Sequence, residues 1–69
     1  MEKGWKSIYV SADEYLISIA KDLLQENGIE SVVINHKDSS YVIWGEAEIY
    51  IREEDEKQAL EILVNLNKG

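Results

Sequence analysis

Sixty-nine residues carry fourteen acidic and seven basic side chains, a formal net charge of −7, with one histidine and no cysteine. That length holds one domain, residues 1–69, and leaves no room for a second. Disulfides are excluded, a structural metal is not expected, and the charge disfavours nucleic acid and anionic membranes, both of which reward clustered Lys and Arg.

In chain order, residues 5–11 read as a strand, with Ile8 and Val10 on one side and Ser7 and Tyr9 on the other. Ser11-Ala12-Asp13-Glu14 has the form of a capping box, so a helix is expected over 11–27 with Ser11 as its cap. Ala12, Leu16, Ile19, Ala20 and Leu23 recur at spacings of three and four and form its expected buried stripe. Ile17 and Leu24 lie at the edge of that stripe, and Gly28 supplies the left-handed stop. Residues 30–36 read as a second strand, with Val32 and Ile34 opposing Val33 and Asn35.

Lys37-Asp38-Ser39-Ser40 is turn chemistry, because Asp and Ser side chains bond their own backbone. Residues 46–52 alternate cleanly, Ala47, Ile49 and Ile51 against Glu46, Glu48, Tyr50 and Arg52. A second helix over 53–67 opens on Glu53-Glu54-Asp55-Glu56, four acids where the helix dipole is positive. Its buried stripe is Ala59, Ile62, Leu63 and Leu66, with Leu60 and Val64 at the edge. These edge residues, like Ile17 and Leu24, either pack between the helices or form an exposed patch for a partner or a second copy.

The order is β-α-β-β-α. A right-handed crossover for the first strand-helix-strand unit and a hairpin between strands two and three are both satisfied by strand order 1-3-2, with both helices on one face. The expected fold class is thus α+β, a ferredoxin-like split βαβ arrangement lacking its last strand.

Such a sheet leaves one face open. The alternation places Ser7 and Tyr9, Glu48, Tyr50 and Arg52, and Val33 with Asn35 on that face. Tyrosine offers contact area at low entropic cost, which makes the face a candidate docking surface; aromatics also favour strands for packing reasons alone. Base stacking on such tyrosines is disfavoured by the net charge. Residues 35–46 combine turn formers with Tyr41, Ile43 and Trp44. They read either as a cap on the core or as a binding loop in which Asn35, Lys37 and Asp38 make polar contacts beside Tyr41 and Trp44.

Chemistry-bearing motifs are few. His36 has only Glu46 and Glu48 as plausible neighbouring acids, a weak case for a metal, and the isolated glycines form no phosphate loop. No cofactor and no enzymatic activity are expected. The start, Met-Glu-Lys-Gly-Trp, has no apolar run of signal-peptide length and no stretch approaches a membrane span, so the expected location is cytoplasmic. At this size a single core gives limited stability, which raises the expectation of a homo-oligomer.

Several segments together resemble a known family. They are Ile8-Tyr9-Val10 with the following capping box, Asn27-Gly28-Ile29, Asn35-x-Lys37-Asp38-Ser39-x-Tyr41, and Gly45-Glu46-x-Glu48-Ile49-Tyr50-Ile51 before an acidic helix start. Over nearly the whole chain this is similar to the small bacterial family of unknown function described as putative prokaryotic signal transducing protein. The resemblance implies a ferredoxin-like fold comparable to the nitrogen-regulatory PII proteins, with no established activity and no catalytic residues. PII proteins hold nucleotide with glycine-rich and basic positions and signal through a long loop after the second strand. This chain has neither, so nucleotide binding is not carried over. The expectation is a non-catalytic regulatory or adaptor-like module for an unknown protein or small ligand, the alternative being a self-assembling structural domain.

Overall fold

The computed structural model describes residues 3–35 and 46–68, with side chains through residue 66. The elements are β1 (Trp5–Ser11), α1 (Glu14–Glu26), β2 (Ser31–Asn35), β3 (Ala47–Arg52), a 3-10 turn (Glu53–Asp55) and α2 (Glu56–Lys68). The three strands form one antiparallel sheet in the order β1-β3-β2. Both helices cover the same face of it, since the buried residues of α1, α2 and β3 form one cluster. This is the expected α+β, ferredoxin-like βαββα arrangement.

The core sits between β3 and the two helices. Ile49 and Ile51 on the central strand are fully buried against Leu24 and Ala20 of α1 and Ala59 and Leu63 of α2. Alanines at 20 and 59 allow the helix axes to approach the sheet closely, and the larger Leu24 and Leu63 fill the space beside them. The expected α2 stripe is confirmed: Ala59 and Leu63 are buried, and Ile62 and Leu66 pack against them.

α1 differs in two respects. Its cap is Asp13, whose carboxylate accepts from the Tyr15 amide at 2.9 Å, while Ser11 Oγ accepts from the Asp13 amide at 3.0 Å. The helix therefore starts at Glu14, because Asp competes for the cap as well as Ser does. Its innermost residues are Ile17, Ala20 and Leu24, with Leu16 and Ile19 half-buried and Ala12 exposed ahead of the helix. At 100° per residue the buried face is turned by roughly 90° from the expected stripe. The apolar arc of α1 is wider than one sheet needs, and Ala20 is common to both halves of it. Periodicity alone leaves open which half faces in.

The end of α1 behaves as expected. Gly28 adopts φ 76°, its amide donates to the Gln25 carbonyl at 3.0 Å, and the Ile29 amide donates to the Leu24 carbonyl at 2.9 Å. This is a Schellman motif, and its accompanying apolar contact is made by the buried pair Leu24 and Ile29. A side chain at position 28 would meet open space, so its cost is backbone strain alone.

The four acids of 53–56 divide between the 3-10 turn and the start of α2, later than the expected helix start at 53. The Glu53 amide is taken by the Gly4 carbonyl at 2.7 Å, which ties the exit of β3 to the entry of β1. Lys6 Nζ pairs with Glu56 at 3.0 Å across the same end. Both partners are well exposed, so this pair adds only about 0–1 kcal/mol.

Candidate functional site

Which side chains reach the face that α1 and α2 leave uncovered is decided by register. In an antiparallel pair, residues directly opposite each other point to the same side. β3 alternates without interruption, so Ala47, Ile49 and Ile51 face the helices and Glu48, Tyr50 and Arg52 face away.

β1 does not follow a simple alternation. Ser7 pairs with Tyr50 but Tyr9 pairs with Ile49, and the register shifts between them. Ile8 is the extra residue of a β-bulge, and both Ile8 and Tyr9 pack against the core. Tyr9, expected on the open face, lies on the helix side, and Val10, expected inside, stands outside beside Glu48 and is 48% exposed. A one-residue bulge exchanges the two faces for everything beyond it.

β2 also differs from expectation. Val33 lies opposite Ile49 and packs on the core, and Asn35 lies opposite Ala47, both on the helix side. Val32, opposite Tyr50, and Ile34, opposite Glu48, occupy the open face. Val32-Val33-Ile34 is apolar at every position, so its pattern carries no parity. The pairing with β3 supplies it.

The open face therefore consists of three cross-strand rows. Val10, Glu48 and Ile34 form one row, and Ser7, Tyr50 and Val32 form the middle one. Trp5 and Arg52 form the third, completed by Glu30, whose carboxylate pairs with Arg52 Nη2 at 3.0 Å. Arg52 also lies over the Trp5 ring at 5.5 Å, a cation–π contact that fixes both groups. Ser7 donates to the Glu48 carboxylate, and the Tyr50 phenol bonds the same carboxylate. Aromatic and aliphatic carbon thus lies in one layer with a held carboxylate at one end and a held guanidinium at the other.

The Glu48 bond raises the Tyr50 phenol above its ordinary 10.0, with desolvation and the Glu48 charge acting in the same direction. The stabilising effect of this bond is complete below pH 10.0 and is lost as pH rises through the higher folded value. Glu48→Gln is expected to move the Tyr50 phenolate absorbance titration back down toward the ordinary value; an unchanged midpoint would mean Glu48 is not its cause.

Of the residues singled out from sequence, Glu48 and Tyr50 meet on the open face, and Tyr9 and Asn35 do not join them. Lys37, Asp38, Tyr41 and Trp44, with His36, lie outside the described residues. Trp5, Val10, Val32 and Ile34 belong to the face and were not expected there. Among the described residues no three His, Cys, Asp or Glu side chains come together as a metal site requires. A shallow depression of about 260 Å³ between α1 and β2, lined by Lys21, Gln25, Ile29, Glu30 and Ser31, includes none of the expected site residues. Among the described residues no helix is long and apolar enough to cross a membrane.

A family model described as "Putative prokaryotic signal transducing protein" matches residues 5–67, and the chain belongs to that family. No curated protein and no solved structure matches it.

Proposed function

We propose that the chain is a non-catalytic binding module of the bacterial cytoplasm, docking a protein through its open sheet face in a regulatory or adaptor role. The observation that carries this is the composition of the face that neither α1 nor α2 covers: Tyr50, Val32 and Ile34 adjoin one another there, and Val10 and Trp5 flank Glu48 and Arg52 on the β1 side. Aromatic and aliphatic side chains interleaved with hydrogen-bonded and ion-paired polar groups are common at protein interfaces. The family description supports a signalling context.

Tyr50 lies at the centre of the face and is the expected anchor. Tyr50→Ala is expected to weaken docking by at least about tenfold, as central aromatic anchors do, while thermal unfolding shifts by only a few degrees. Surface calorimetry on the captured partner and a melting curve measure the two effects separately. Comparable losses in both would make Tyr50 a structural residue and remove the main support for this function.

A second reading has its own observation. Leu60 and Val64, one turn apart on α2, are 51% and 44% exposed, whereas the corresponding edge residues of α1, Ile17 and Leu24, are buried. They suit self-assembly of a structural domain through α2 rather than through the sheet.

A further inference from the structure

We infer that the occupant of the open sheet face is a second copy of this chain, stacked face to face about a two-fold axis that crosses β3 at Tyr50. This rests on the docking function proposed above and names its partner. The support comes from the charge pattern of the central strand. Glu48, Tyr50 and Arg52 project from the same face at successive alternate positions, acid, neutral and base. An axis lying between two such sheets, perpendicular to β3 and level with Tyr50, reverses the strand. It sets Glu48 of each copy opposite Arg52 of the other, twice, which is the reciprocal pairing an isologous interface requires.

The flanking strands satisfy the same operation. Position along β3 is reversed but β1 stays over β1 and β2 over β2. Val10, beside Glu48, then meets Trp5, beside Arg52; Tyr50 meets Tyr50 and Val32 meets Val32 at the axis. Ile34 falls near Glu30, whose charge Arg52 of its own chain already offsets at 3.0 Å. The other in-plane axis, along β3, would place Glu48 on Glu48 and Arg52 on Arg52, so the charges select one arrangement. Aligned sheets pack about 10 Å apart at roughly −30°, within reach of Glu and Arg side chains. Glu48 keeps its bonds from Ser7 and Tyr50, because a carboxylate has about four acceptor positions.

Size sets the strength. Three strands of about six residues span a flat area on the order of 300 Å², against about 800 Å² per partner in a standard interface. The dimer is accordingly weak and reversible.

Sedimentation velocity from micromolar to millimolar protein tests it. The wild-type chain is expected to pass from monomer to dimer across that range. Glu48→Arg and Arg52→Glu should each weaken the dimer by at least about tenfold by setting like charges together. The double variant, which restores opposite pairs, should return to within roughly threefold of wild type. Val32→Lys, which places a lysine on its own copy at the axis, should also dissociate it without removing any intrachain bond, and circular dichroism confirms the fold of each variant. A dimer that responds to Leu60→Glu but not to the β3 charge changes would overturn the inference in favour of α2. A wild-type chain that stays monomeric at millimolar concentration would overturn the second copy as partner. The Tyr50→Ala docking experiment would remain the separate test of the face itself.

Discussion

Leu24→Ala is expected to remove most of the folding free energy of this domain. Leu24 is fully buried at the contact between α1 and the central strand, and its carbonyl also accepts the Ile29 amide that closes the Schellman motif. Truncating a buried leucine costs about 2.7–5 kcal/mol, depending on how far the surroundings collapse into the space. A core of this size supplies only about 3–5 kcal/mol in total. Urea unfolding followed by circular dichroism should show the midpoint fall toward zero denaturant. A loss under about 1 kcal/mol would mean that α1 is turned toward Leu23 and Leu16, as its periodicity alone suggested.

The second large effect separates neighbouring residues. Ile49→Asp is expected to abolish folding, because Ile49 is fully buried on the central strand and a carboxylate there has no partner. Tyr50→Asp, one residue further, should leave the spectrum and cooperative unfolding intact, since Tyr50 projects from the opposite face beside Ser7 and Val32. The pair reads the two sides of one strand. Folding lost in both variants would show that the open face is covered within the chain. Folding kept in both would show that Ile49 is not at the core.

Much of this arrangement was legible in the residues, for reasons that can be named. Glu46 to Arg52 alternates without an exception, so the inward set Ala47, Ile49, Ile51 and the outward set Glu48, Tyr50, Arg52 follow from a period of two. Gly28 after a periodic segment marks a left-handed stop, and the backbone there has the expected positive φ. Strand order β1-β3-β2 follows from the crossover and hairpin rules once the element order is known.

The open face itself was legible only on β3. On β1 the bulge at Ile8 inserts one residue with no glycine or other local mark, and the sides of Tyr9 and Val10 exchange. On β2, three apolar residues in succession fit either parity, and the choice falls to cross-strand pairing with β3. In α1 the wide apolar arc fits two rotations, and tertiary packing against Ile49 and Ile51 selects the one that buries Ile17 and Leu24. In each case the missing information was non-local. A lone pattern shows that a segment has an inside and an outside, and its neighbours decide which is which.

The measurement that tests the central claim most directly is the set of amide chemical shifts of the labelled chain as its concentration is raised to the millimolar range. Docking of a second copy on the open face predicts shifts that change together at Ser7, Val10, Val32, Ile34, Glu48, Tyr50 and Arg52, with Leu60 and Val64 constant. Shifts confined to α2, or no change at any concentration, would contradict it.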